Sequence, residues 1–216
     1  MKTRANIPEK TIERLLIYRR ELLNLKQEMK TAVFSHQIAQ LTGATPVQVR
    51  RDFMQIGYFG SSVHGYNVDE LINSIGEFVD DVQTQNVALV GVGHLGRAIL
   101  DYLQGRREKL KITALFDVDP TKVGSVLHGI RCYPTEQIPE IITREKIKVA
   151  IIAVPEGKGQ EVAERLVWAG ITGIVNYAPI KLNLPPEVYV ENRDMVLAVE
   201  KVAFYSRRVN KKEELL

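Results

Sequence analysis

The hexapeptide Gly91-Val92-Gly93-His94-Leu95-Gly96 follows an apolar run, NVALV, that reads as a strand, and it opens a segment that reads as a helix. In such a turn each glycine has its own task. The first makes the bend, the second lets main chain approach a pyrophosphate, and the third lets helix pack on strand. The helix start adds amide donors for an anion, so the chemistry implied is the grip of a dinucleotide. A second strand, ITALFD, ends in Asp117, about twenty residues beyond the glycines, where an acid is expected on the adenosine ribose. That carboxylate would repel a 2′-phosphate, which favours NAD(H) over NADP(H). The alternative for Asp117 is a turn or helix cap, although Asp119 in DPTK suits turn chemistry better. Val154 and Pro155, at the end of VAIIAVP, and Asn176, Ala178 and Pro179, in NYAP, lie at strand C-termini. They either line a nicotinamide pocket or punctuate loops.

Groups able to carry out a reaction are scarce. Of the four histidines, His36 falls in a helix, His64 in a hairpin, His128 in a turn and only His94 at the glycine loop. Its position there suits placing a pyrophosphate better than moving a proton. The single cysteine, Cys132, excludes an intrachain disulfide and offers no zinc site, so it is expected to pack. No catalytic residue and no metal set is assigned.

The elements that must hold these groups alternate in period as βαβ units require. After the glycine loop come the helix HLGRAILDYL, the strand ITALFDVD, a short helix TEQIPEII, the strand VAIIAVP, the helix GQEVAERLVWAG and the strand GIVNYAP. A parallel sheet covered by helices follows, with ligands beyond the C-terminal strand ends. The tail, NRDMVLAVEKVAFYSRR, is helical but apolar on nearly all sides, from Met195 to Tyr205, and such a helix needs burial on more than one face.

The first third of the chain reads differently. TIERLLIYRRELLNL is a long amphipathic helix ending before Thr31, and SHQIAQLTG is a second, capped by Ser35, closed by Gly43 and turning Ile38, Ala39 and Leu41 inward. TPVQVRRDFMQIG is a third, with Thr45 as N-cap, Pro46 at the first position and Val47, Val49, Phe53 and Ile56 facing a core. The short link between the last two is the turn of a helix-turn-helix. Tyr58 to Tyr66 mixes aromatics with glycines and suits a hairpin, which completes the order of a winged helix. VDELINSIGEFV is a connecting helix and DDVQTQ a polar boundary. Domains are therefore expected over 1–78 (winged helix), 79–190 (Rossmann-like) and 191–216 (a C-terminal helix).

Composition agrees with a globular protein: 216 residues, 45% hydrophobic and 25% charged, net charge +3. No window approaches the roughly 18 apolar residues of a membrane span, and MKTRANIPEK has no apolar signal core behind it, so the cytoplasm is expected. Positive charge is concentrated early. Lys2, Arg4, Lys10, Arg14, Arg19, Arg20, Lys26, Lys30, Arg50 and Arg51 outnumber Glu9, Glu13, Glu21, Glu28 and Asp52, a reason to consider DNA phosphates. On the third helix Gln48 and Arg51 can reach base edges and Arg50 a phosphate; Arg14 and Thr45 are counted with them.

Three functions fit these parts. A dehydrogenase needs a substrate domain, and one tail helix is too little for that. A CoA-binding module uses a similar sheet, but Asp117 and the helix-turn-helix count against it. The third is a DNA-binding protein that uses the dinucleotide as a signal.

IPEKTIERLLIYRR, TPVQVRRDF, the FG and GY of the hairpin, GVGHLG, FDVDPTKVG, the VP of IIAVP and NYAP, in this order, resemble the Rex family of redox-sensing transcriptional repressors across nearly the whole chain. The resemblance implies a homodimer on operator DNA, with NADH or NAD+ bound competitively and C-terminal helices exchanged between subunits. It also implies that NADH closes the dimer and releases the operator. It places Tyr102 near the nicotinamide, and Asp194 and Met195 in the partner's nicotinamide pocket. Arg20 resembles an arginine that pairs with this aspartate, so that Asp194 exchanges Tyr102 for Arg20 as the dimer opens. One departure is in the wing, where the family pattern has Lys-Arg and this chain has Ser61 and Ser62, with His64 nearby; serines bond phosphates but release no counterions.

Overall fold

The computed structural model describes residues 7–80, 83–105 and 109–213, with side chains through Arg207. Lys2 and Arg4 of the basic segment, Asp81 and Val82 of the polar boundary and residues 214–216 of the tail lie outside this range. The chain divides into two compact units, Met1–Val82 and Gln83–Leu216.

In the first unit α1 (Glu9–Gln27), β1 (Ala32–Val33), α2 (Ser35–Thr42), α3 (Pro46–Gln55), β2 (Tyr66–Asn67) and α4 (Val68–Val79) follow one another. Thr45 caps α3 by accepting from the Gln48 amide at 3.2 Å, with Pro46 in the first turn. Gly43 ends α2 at φ +70°, a conformation that glycine adopts without strain. Ser35 is the first residue inside α2 rather than its cap, and its hydroxyl instead accepts from Arg50 Nη1 at 3.0 Å. The core is Leu15, Tyr18, Leu22, Ile38, Val49, Phe53, Leu71 and Ile75. Phe53 meets Tyr18 and Tyr66 edge-on at centroid distances of 5.5 and 5.0 Å, the arrangement ring quadrupoles favour. Val47 and Leu41, expected inside, are 57% and 51% exposed. Each lies on the solvent side of a short helix whose other face supplies Val49 and Phe53, or Ile38 and Ala39.

The hairpin is also built differently from its expectation. β2 pairs antiparallel with β1, which precedes α2, and the wing itself is held by a single bridge in which Ser61 and Gly65 exchange two main-chain hydrogen bonds of 2.8 Å. Gly65 has φ +72°, and a Cβ there would press on Val33 O at 2.6 Å, so the wing is fixed against β1.

The second unit contains β3 (Gln85–Val90), α5 (His94–Leu103), β4 (Leu110–Asp117), β5 (Val126–Leu127), β6 (Ile130–Pro134), α6 (Ile138–Arg144), β7 (Val149–Ile152), α7 (Glu156–Trp168), β8 (Gly173–Asn176), β9 (Tyr189–Asn192) and α8 (Met195–Glu213). The sheet order is β5-β6-β4-β3-β7-β8-β9, parallel except for β5 with β6. The chain runs outward from β3 through β4 to β6 and returns to β7, so the order reverses between β3 and β7. Ligands of such sheets bind at that reversal. One core packs Ala88, Val90, Phe116, Ile152, Ala163 and Leu166 together. Cys132 is buried in the other core, and burial pushes its thiol up to about 11.

In α8 the apolar residues Met195, Val196, Leu197, Val199, Val202, Phe204 and Tyr205 are 56–68% exposed. Among the described residues of one chain nothing provides the burial their composition calls for. No helix of the described residues is long and apolar enough to cross a membrane.

Candidate dinucleotide pocket and nucleic-acid interface

Backbone geometry separates the three glycines of the loop. Gly91 sits at φ +92°, and a Cβ there would collide with Ala153 O. Gly96, in the first turn of α5, would collide with Gly91 O. Gly93 is different, because a Cβ there would meet nothing within 4 Å and φ is an ordinary −78°. No neighbour inside the protein calls for its bareness. The open space lies in a cavity of about 360 Å³ lined by Gly91, Gly93, Asp117, Lys122, Val154 and Pro155, among others, within the roughly 300–1,000 Å³ of small-molecule clefts. The residues present therefore fit a dinucleotide at the reversal between β3 and β7.

Asp117 is the anchor of this cavity. Its Oδ2 accepts from the Val92 amide at 2.8 Å and its Oδ1 from the Asp119 amide at 2.9 Å, while Lys122 Nζ stands 3.2 Å from Oδ2. Burial, the strongest single influence, pushes the carboxyl up; the two amides and the ammonium together outweigh it and hold the group below the usual carboxylate range. The same contact to Val92 fixes the glycine loop, so the Asp117 carboxylate and the loop are one structure. Lys122, which also lies 3.4 Å from Asp119, was invisible to motif reading, because nothing in DPTK says which way the lysine turns.

Other expected ligand residues are placed elsewhere. Asn176 is buried, donating to Ala178 O at 3.1 Å, Ile180 O at 2.9 Å and Asn192 Oδ1 at 3.0 Å and accepting from the Ala178 amide at 3.0 Å. Its side chain shapes its own loop, and neither it nor Ala178 nor Pro179 lines the cavity. His94 and Leu95 are exposed on the first turn of α5, and Tyr102 is exposed near its end. Asp194 Oδ1 caps α8 by accepting from the Leu197 amide at 2.9 Å. Among the described residues no His, Cys, Asp or Glu cluster could hold a metal.

In the first unit α3 presents Arg50 and Arg51 to solvent, and Gln48 is half-buried. Arg51, Gln48, Thr45 and Lys10 share one groove of about 480 Å³. Arg14, expected at DNA, lines the same groove, but its guanidinium is engaged there: Nε and Nη2 grip both oxygens of Asp52 at 2.7 and 2.8 Å, Nη2 also donates to Thr11 Oγ1 at 3.0 Å, and the Tyr18 hydroxyl donates to Asp52 Oδ2 at 3.1 Å. The hydrogen-bonded Asp52 carboxylate raises the Arg14 pKa. A guanidinium held on a carboxylate has its charge compensated, so Arg14 fixes α1 against α3. Ser61 is similarly engaged, its hydroxyl accepting from the amides of Val63 and His64, both at 3.1 Å. Arg20 Nε lies 3.1 Å from Glu21 Oε1.

Two family models match consecutive stretches of the chain, one described as a putative DNA-binding protein N-terminus over residues 6–53 and one as a CoA binding domain over residues 82–180. The redox-sensing transcriptional repressor Rex of Desulfitobacterium hafniense is 38% identical over 204 residues, 94% of this chain and 97% of that protein. The chain belongs to the Rex family. Among solved structures, the Rex-family repressor RSP in complex with β-NAD+ and operator DNA matches with a TM-score of 0.88 at 30% identity, over 97% of this chain and 96% of that one. RSP in complex with β-NADH matches at 0.85 and 29%, over 98% and 99%. Between Arg51 and Arg97 the sequence has neither lysine nor arginine, so the wing carries no such cation. The exposed wing side chains are Phe59, Ser61, Ser62, Val63 and His64.

Proposed function

We propose that this chain is a homodimeric transcriptional repressor that grips operator DNA through α3 and loses that grip when NADH replaces NAD+ at the glycine loop. The observation that carries the reading is the match, over almost the full length, to one repressor solved both with NAD+ and operator DNA and with NADH. The residues supply each part. Gly91, Gly93 and the start of α5 would take the pyrophosphate and Asp117 the adenosine ribose, with Val154 and Pro155 beside them. Arg51 and Gln48 would read bases, and Arg50 would meet a phosphate. The exposed apolar faces of α8 would be covered by a second copy, in an exchange that carries Asp194 and Met195 to the partner's pocket. Asp194 passing between Tyr102 and Arg20 is the proposed switch.

NADH and NAD+ differ only at the nicotinamide ring, so the loop contributes affinity common to both. A ligand shifts an equilibrium only by its difference in affinity for the two states. Discrimination is therefore assigned to Val154, Pro155, Tyr102 and the exchanged tail. The chain is proposed as a sensor rather than an enzyme, working in the cytoplasm where its DNA is.

The test is fluorescence anisotropy of a duplex selected from a random library, at fixed salt, with NADH, NAD+, NADPH or CoA added. Release by NADH alone supports the sensor. Hydride transfer to an added carbonyl would favour a dehydrogenase, and tight binding of CoA the CoA-binding module.

A further inference from the structure

Arg19 lies on α1 beside Arg20 and is only 8% exposed. Its Nη1 donates to Asp80 Oδ1 at 2.8 Å, across 61 positions of sequence, while its Nε is buried with no hydrogen-bond partner. Asp80 is the C-cap of α4, with its amide donating to Gly76 O at 2.8 Å. The guanidinium passes over the one glycine of that helix: a Cβ on Gly76 would lie 3.9 Å from Arg19 Nη1 and 3.7 Å from Asp80 Oδ2. Leu15, Leu22, Leu71 and Ile75 already join these helices through an apolar core, so the charged contact is not needed to make them meet.

With the two side chains 10% and 27% exposed the ion pair is part-buried, and such a pair is a poor source of stability, since solvent screens it on one side and apolar residues of similar volume often do as well on the other. What it does supply is one geometry. The planar guanidinium, whose Nε finds no acceptor among the described residues, presents Nη1 to Asp80 Oδ1 in one direction and so fixes where that carboxylate sits at the end of α4. The location is what gives this consequence. Asp80 is the last described residue of the first unit, which ends at Val82, so the covalent route from one unit to the other starts at this pair.

We propose that the Arg19–Asp80 pair is a clamp that sets the direction in which the chain leaves the DNA-binding unit, and that NADH-driven release of the operator depends on it. This rests on the sensor reading above. Arg19 is thus a positioning residue. Buried within its unit, it touches neither bases nor dinucleotide, and it acts through the exit of α4.

The experiment uses the full-length chain and three variants: Asp80→Asn, Arg19→Lys, and Arg19→Met combined with Asp80→Asn, which removes both charges and leaves none uncompensated. Three quantities are measured: Kd for NADH, Kd for operator without nucleotide, and the ratio of operator Kd with and without saturating NADH. Allosteric ratios typically lie between about 5- and 150-fold. The clamp predicts that Asp80→Asn and the double variant keep the first two constants within about threefold while the ratio collapses towards one, and that Arg19→Lys retains most of it. An unchanged ratio in the double variant overturns the clamp. So does loss of nucleotide-free operator binding in both charge-removing variants, which would assign the pair to holding the fold. If the parent chain itself ignores NADH, the sensor reading fails first, and the two failures are distinguished by that control.

Discussion

Two aspartates are buried among the described residues, Asp52 at 1% and Asp117 at 7% exposure, and they are held in opposite ways. Asp52 is gripped by side chains of another helix, Arg14 and Tyr18. Asp117 is held mainly by the amides of its own and the neighbouring loop, Asp119 and Val92, with Lys122 as the added cation. The first arrangement joins two elements and exhausts its partner's charge. The second sets a carboxylate beside a cavity, keeps it ionised and ties it to the glycine turn. Burial of an acid therefore says nothing about its task; the identity of the donors does.

The largest effect expected from breaking this comparison is at Asp52. Asp52→Ala leaves the Tyr18 hydroxyl and Arg14 without their acceptor, and should destabilise the first unit by about 3 kcal/mol, the low end for a broken buried pair because Arg14 is partly exposed. Urea unfolding measures it, and a loss under about 1 kcal/mol would place Asp52 among ordinary surface charges. Asp117→Asn should mainly weaken NADH binding, by about 1.5–3 kcal/mol as for a hydrogen bond to a charged group. Calorimetric titration reads that change, and undiminished affinity would remove the ribose role.

The pH dependence of Asp117 has a definite sign. Its folded-state pKa is lowered, so its contribution to stability is present above the unfolded value of about 3.9 and is lost as pH falls from there through the folded value. Asp117→Asn should flatten the acid limb of the stability profile in that window, and an equally steep limb would contradict the assignment.

Smaller effects separate DNA-facing from structural cations. Arg51→Ala should cost about 1–3 kcal/mol of operator affinity and relax one base position if its contact is bidentate. A binding-site selection that returns the parent's preference would take Arg51 out of the interface. Least of all, Ser62→Lys should add one phosphate contact in the wing and steepen the slope of log K against log salt by about 0.9. An unchanged slope would mean that the wing stays clear of the backbone.

What could be read in advance followed the range of the signal. The glycine loop, the cap Thr45, the terminator Gly43 and the alternation of strands and helices are local, and each declares itself within a few residues, while Asp117 needs only its fixed spacing from the loop. β1, β2 and β5 have two residues each, too few to show a period, and the wing's pairing with a strand before α2 is non-local. The engagement of Arg14 by Asp52 spans 38 positions and that of Arg19 by Asp80 spans 61, so a list of basic residues could not tell the free cations from the compensated ones. Asn176 shows the same limit: a polar residue at a strand end looks like a ligand donor, but three of its hydrogen bonds close its own loop and a fourth reaches Asn192 on β9.

The proposed coupling between operator and NADH is a free energy shared by the two sites, and linkage makes it reciprocal. The direct measurement is the Kd for NADH with and without saturating operator DNA. Operator should weaken NADH binding by the same factor by which NADH weakens operator binding, while leaving NAD+ far less affected. An NADH Kd that is identical in the presence and absence of operator would contradict it.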